Sequence, residues 1–225
     1  MSIVAGPDII EDGLVLCLDA ANARSYPGTG TAWVDLVGED SNGVLTNGPT
    51  YSSSNEGGIV FDGTNDYINN STANINITND ICLNIWFKHS NVSTPTNQIY
   101  FDITTNSRFS LYKQGTSLIF STRPPGLGGF WTTGGSHNFS NNTIYNVVAQ
   151  HKSATGESSV YKNNVLLASF APNVYGLSES NVNYTVSSTG SPFIGSIYYI
   201  GLYTRSLSAT ELTQNYNALK WRYGL

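Results

Sequence analysis

Two sets of residues carry most of the chemistry this sequence can offer. The first is acidic. Hydrolysis of a glycosidic bond needs two carboxylates, one to give a proton and one to act as base or nucleophile. The six glutamates are Glu11, Glu39, Glu56, Glu157, Glu179 and Glu211, and none has a second acid two residues away. No single strand therefore presents such a pair. His89, His137 and His151 lack H-x-x-x-H spacing, and neither a G-x-S-x-G elbow nor a P-loop occurs. A lone histidine such as His151 reads as a structural residue. The expectation is a protein without catalysis; acids assembled from different strands are the one route to an enzyme left open.

The second set is aromatic. Phe130-Trp131 lies in the stretch 122–142, which begins Thr122-Arg123-Pro124-Pro125, is rich in glycine and shows no clear strand pattern. Prolines stiffen one arm of such a loop and glycines free the other. Phe130, Trp131 and Arg123 are candidates for a sugar platform or a partner anchor. The alternative is that both rings fold down onto the core. Tyr100, Arg108 and Tyr112 form a further group on the strand-like segments 98–103, 108–113 and 117–122. On a concave face they would hold a glycan by stacking and hydrogen bonding; otherwise they belong to a solvated sheet face.

The elements that must position these residues are almost all strands. Short alternating or β-branched runs recur between turn clusters at 13–19, 58–62, 66–69, 81–88, 98–103, 108–113, 117–122, 143–152, 158–162, 165–170, 183–187 and 193–203. In 81–88 the alternation sets Ile81, Leu83, Ile85 and Phe87 on one face and Cys82, Asn84, Trp86 and Lys88 on the other. Asn163-Asn164 predicts a two-residue hairpin turn, because asparagine tolerates positive φ. One helix is predicted, at 209–220. Ser208-Ala209-Thr210-Glu211 reads as a capping box, Leu207 and Leu212 as a hydrophobic staple, and Leu212, Tyr216 and Leu219 follow at helical spacing.

Composition narrows the function classes. Only 11% of the 225 residues are charged, and the net charge is −5. Five lysines and five arginines spread along the chain do not make a nucleic-acid-binding stripe. Asn, Ser and Thr number 25, 27 and 22, about a third of the chain, so polarity comes from neutral hydrogen-bonding groups. Twenty-seven aromatic residues (Trp 4, Tyr 14, Phe 9) argue against disorder. No apolar run is long enough for a membrane span. The start MSIVAGPDIIEDG carries Asp8, Glu11 and Asp12 and does not read as a secretory signal. Cys17 and Cys82 sit in apolar runs and read as two reduced, buried thiols, although a bridge would follow if their strands were neighbours. No internal repeat or linker is visible, so one domain, 1–225, is expected.

Several motifs resemble a known family: Asp19-Ala20-Ala21-Asn22, Trp33-x-Asp35, Phe61-Asp62-Gly63-x-Asn65-Asp66-Tyr67 and Arg205-x-Leu207-Ser208-x-x-Glu211. Together they resemble the laminin-G-like, concanavalin A-like jelly-roll domains, in the branch common among bacteriophage virion and bacterial surface proteins. The resemblance implies an all-β sandwich of two antiparallel sheets, with the short helix at its C-terminal end. It implies two readings of Asp62, Asn65 and Asp66. They are calcium ligands at the sandwich rim, as in some relatives, or they close a tight turn around Gly63. Three such residues fall short of the six to eight oxygens that calcium takes. Some sandwiches of this shape are endoglycanases, but those carry paired acids on one strand, which this chain lacks.

The function expected is that of a non-enzymatic bacteriophage virion structural protein, a capsid decoration, fibre or tail adhesion module. It would be made in the host cytoplasm and displayed on the virion surface. Its expected partners are other virion proteins, further copies of itself and host-surface glycans, with no nucleic acid, no membrane insertion and no cofactor beyond the calcium option. The alternative is a freestanding bacterial carbohydrate-binding module or lectin, and after it a glycan-degrading enzyme.

Overall fold

The computed structural model describes residues 7–38, 41–70, 72, 74–93, 97–103, 109–123, 131–171 and 174–225, the side chains of Trp131 and Thr133 excepted. Sheet A runs from β15 (Val165–Phe170) through β14 (Glu157–Lys162), β13 (Ile144–Lys152), β8 (Ile81–His89), β18 (Ile194–Tyr203) and β5 (Gly58–Asp62) to β4 (Thr50–Ser52). Strand β1 (Leu14–Asp19) joins it along the second half of β18. Sheet B runs from β12 (Trp131–Ser136) through β11 (Ser117–Thr122), β10 (Phe109–Gln114), β9 (Gln98–Ile103), β17 (Thr185–Val186), β6 (Tyr67–Asn70) and β3 (Gly43–Thr46) to β2 (Ala32–Trp33). A ribbon of β7 (Ile75–Asn79) and β16 (Leu177–Val182) stands apart. Neighbouring strands are antiparallel in both sheets.

The core lies between the sheets, and β8 shows how the sequence builds it. Ile81, Leu83, Ile85 and Phe87 face inward with Leu16, Phe61, Phe101 and Leu111. The opposite face of β8 is buried too. Trp86 packs with Cys17, Tyr198 and Tyr199, and Cys82 with Val148, Tyr203 and Leu212. Asn84, a polar residue on that face, accepts from Asn146 Nδ2 at 2.7 Å, so its burial leaves its amide oxygen paired.

The cover over that second face is helix α1 (Ala209–Leu219). Its capping box forms as the sequence predicts. Ser208 Oγ accepts from the Glu211 amide at 3.3 Å, and Glu211 Oε2 accepts from the Ser208 amide at 2.8 Å. Arg205 reinforces it through Nη2 to Glu211 Oε1 at 2.6 Å, and these bonds hold the Glu211 carboxyl down at about 2. A helix this short needs docking to persist. Tyr216 stacks on Trp86 at 5.6 Å, and Tyr223 meets the same indole at 4.8 Å. Asn215 takes the Ile10 amide at 2.8 Å and donates to Tyr203 Oη at 3.0 Å, tying the N-terminal segment, the helix and β18 together.

One local expectation is met. Asn163 and Asn164 adopt φ of 48° and 63°, and Lys162 pairs with Val165 across the turn. Trp33 is buried, and Asp35 Oδ1 accepts from the amides of Cys17 and Val37, pinning the connection that follows β2. One expectation is corrected. The stretch 122–142 contains strand β12, paired with β11 from Thr122–Trp131 to Ser117–Ser136. Its glycines hid the pattern, yet they serve the sheet. A Cβ on Gly134 would come within 2.5 Å of the Leu118 carbonyl oxygen.

Cys17 and Cys82 are both free and buried. Each sits opposite β18, Cys17 at Gly201 and Cys82 at Tyr203, so β18 runs between them. Two strand spacings, about 9–10 Å, exceed what a disulfide spans. Desolvation pushes the Cys17 thiol up to about 12 and raises Cys82 as well, leaving both inert at neutral pH.

Candidate functional site

The outer face of sheet B is where side chains with recognition chemistry meet solvent. A recess of about 300 Å³ opens there, lined by Asn97, Ile99, Tyr112, Gln114, Ser121, Thr132 and Ser191. Registry explains the grouping. Ile99 and Tyr112 are cross-strand partners on β9 and β10, and Ser121 and Thr132 are partners on β11 and β12. Cross-strand partners share a face of the sheet at about 5 Å. The result is an apolar strip, Ile99 beside Tyr112, bordered by amides and hydroxyls.

The charge on this face is sparse. Asp102 is the single acidic residue in the eight strands of sheet B. It pairs in register with Ser110 of β10 and Thr185 of β17. Among the described strands, no second carboxylate stands across from it to complete the pair that glycoside hydrolysis uses.

The aromatic residues singled out in the sequence separate. Tyr112 lies in the recess. Tyr100 does not, which corrects the expectation that both line one face. Between β9 and β10 the register slips at Leu111 and Tyr112, and the extra residue turns Tyr100 inward. Its ring stacks on Phe87 at 4.5 Å and its hydroxyl meets His89 Nε2 at 2.7 Å, with no exposed surface. Arg123 follows β11 directly and is half-buried. Trp131 opens β12 opposite Thr122; its side chain, together with Arg108 and Phe130, lies outside the described residues. Sequence reasoning missed Asn97, Ile99, Gln114, Ser121, Thr132 and Ser191. Alternation within 98–103 could have flagged Ile99, but Thr132 and Ser191 come near it only through folding.

The histidines are structural. Burial, with Lys113 and His137 nearby, pulls His89 down to about 3. His151 Nε2 donates to the Tyr175 carbonyl at 2.9 Å, and its ring stacks on Tyr175 at 4.2 Å. His137 Nδ1 accepts from the Phe139 amide at 2.9 Å, which fixes its tautomer. Burial lowers both of these histidines too. All three rings are neutral at pH 7.

At the rim, Asp62 Oδ1 accepts from the Thr64 amide at 2.7 Å and Asp66 Oδ2 from the Asp62 amide at 2.9 Å. The Asn65 carbonyl takes Asn47 Nδ2 at 3.0 Å. These bonds close the β5–β6 connection. Burial raises the Asp66 carboxyl, against the Asp62 amide bond that lowers it. Among the described residues no three His, Cys, Asp or Glu side chains gather at metal-binding spacing, and no helix is long and apolar enough to cross a membrane.

Two face-packed antiparallel sheets with a neutral, recessed outer surface define a lectin-type β-sandwich. A laminin-G domain model, described as the Concanavalin A-like lectin/glucanases superfamily, matches residues 62–213, about two-thirds of the chain. The chain belongs to that superfamily. Among solved structures, the receptor-binding domain of botulinum neurotoxin C/D mosaic serotype is similar, with a TM-score of 0.74 at 15% identity over 92% of this chain and 51% of that one. The binding domain of botulinum neurotoxin DC, solved in complex with SialylT, gives 0.74 at 14% identity over 92% of this chain and 52% of that one. The receptor-binding domain of botulinum neurotoxin type G gives 0.68 at 15% identity over 91% and 51%. The chain thus spans about half the length of each, and at these identities the likeness shows the fold. A search of the curated proteins finds no match.

Proposed function

We propose that this protein is a non-catalytic carbohydrate-binding module, displayed on a bacteriophage particle, that holds a host-surface glycan in the recess of sheet B. The observation that carries the reading is the Ile99–Tyr112 strip within a rim of neutral hydrogen-bonding side chains. A pyranose has an apolar C–H face and a ring of hydroxyls. The strip suits the first and Asn97, Gln114, Ser121, Thr132 and Ser191 the second. Superfamily membership supports recognition of a sugar, and the fold is shared with a toxin binding domain solved in complex with SialylT and with a type C toxin structure named for interaction with two ganglioside molecules. The single carboxylate of sheet B supports binding over hydrolysis. The virion setting rests on the sequence resemblance. Many copies on a particle would turn a weak site into firm attachment, since avidity multiplies affinity by about 10²–10⁴.

A glycan array with wild-type and Tyr112→Ala protein tests this. One glycan class should be retained by the wild type and lost at least roughly tenfold in the variant, a hot-spot-sized effect, with an unchanged circular dichroism spectrum. Binding should survive EDTA. Equal binding by both proteins, or a blank array, would remove the recess from consideration. Release of reducing ends from a bound polysaccharide would instead favour a glucanase. Mass spectrometry of purified particles tests the virion setting separately.

A further inference from the structure

We infer that β15 is a self-association edge, at which a second copy of this chain pairs strand to strand. Seven large apolar side chains stand exposed among the described residues, and four of them fall in 165–174: Val165 at 68%, Leu166 at 52%, Phe170 at 45% and Val174 at 71%. Three lie on β15 itself, which ends sheet A and has β14 as its only hydrogen-bonded neighbour. Its inner face is already occupied. Leu167 packs on the core and lies against Gly135 of β12, where a Cβ would come within 3.3 Å of Leu167 Cγ. The Leu167 carbonyl also lies against Gly135; along the rest of the edge Val165, Leu166 and Phe170 stand exposed.

Proteins guard such edges with brevity, charge, proline, a β-bulge or a covering segment. Strand β4 has three residues and β2 two, and β1 carries Asp19. Strand β15 has six residues, Val-Leu-Leu-Ala-Ser-Phe, without charge or proline, and its register with β14 slips once, at Leu167. A neutral edge of this length calls for another extended strand, because only backbone can meet backbone in that geometry.

The charge pattern selects a second copy as the partner. The chain carries a net charge of −5, yet no Asp, Glu, Lys or Arg occurs from 163 to 178. Two acidic molecules repel over most of their surfaces and least along this neutral segment. The segment is also self-complementary. A two-fold axis between Leu167 and Ala168 would set Val165 of one copy opposite Phe170 of the other, apolar against apolar in both halves.

Sedimentation velocity on the full chain tests the inference, which does not depend on the glycan reading. The wild type should run at twice 24.3 kDa. Leu166→Lys and Phe170→Glu should each run at the monomer mass with unchanged circular dichroism, and glycan binding per chain should persist. Trp221→Ala removes an exposed ring far from β15 and should leave the dimer intact. A wild type that stays monomeric up to its solubility limit overturns the proposal. So does a dimer indifferent to both charge insertions, or a polydisperse aggregate in place of a defined dimer.

Discussion

The outer faces of the two sheets start from comparable patterns and end in opposite states. On sheet A, Trp86 points away from the core and is wholly buried, closed over by Tyr216 and Tyr223 from the C-terminal segment. On sheet B, Tyr112 also points away from the core and is left half-buried at an open recess. Alternation puts both rings on an outward row. What differs is whether a later part of the chain returns to cover the row. Sheet A spends its outer aromatics on holding the fold, through the Asn215–Tyr203–Ile10 network as well as the stacked rings. Sheet B leaves its outer row open at the recess. A side chain's outward direction therefore does not tell whether it stabilises or recognises.

The sharpest way to break this contrast is Trp86→Ala. Loss of a fully buried indole should lower unfolding free energy by about 3–5 kcal/mol, read as a fall in the urea midpoint. Glycan affinity of the remaining folded protein should not change. If stability barely moves, the helix is a passive cover. Acid gives the next largest effect. His89 lies near 3 in the folded protein against an ordinary 6.5, so the unfolded chain takes up its proton first. Its stabilising contribution is complete above about pH 6.5 and declines as the pH falls toward 3. The loss between pH 7 and about pH 4 should reach about 3 kcal/mol, and His89→Gln should flatten that limb in equilibrium unfolding. The recess side chains do not titrate in that range, so binding by folded protein should stay constant while stability drops.

Smaller effects sharpen the comparison. Ser208→Ala removes the helix cap and should cost about 1 kcal/mol, visible in urea melts and silent on the glycan array. Tyr112→Ala should do the reverse. At a half-buried site it should shift stability by less than about 1 kcal/mol while reducing glycan retention. A variant pair that failed to separate in this way would mean the two faces are energetically coupled.

Much of the fold was legible in the residues because the signals are local. Alternation marked β5, β9, β11 and β15 at their observed limits, and the paired asparagines and the Ser208–Glu211 box marked a turn and a helix start. The strands that escaped, such as β3, β4, β7 and β16, are short or rich in Asn, Ser and Thr, and gain strand geometry from their neighbours. The candidate site was legible in part. Tyr112 was found from its residue type, whereas Ile99, Ser121, Thr132 and Ser191 come from separate segments and meet only in the recess.

By itself the sequence determined the β-rich layout, the neutral polar surface and the positions of its turns, since each depends on side-chain preferences within a few residues. Tertiary structure alone decided that Tyr100 turns inward, that β18 separates the two cysteines, and that Trp86 is covered while Tyr112 is not. Those outcomes depend on pairing register and on which distant segment packs where. They are free-energy comparisons over the whole chain, and no short window of residues contains them.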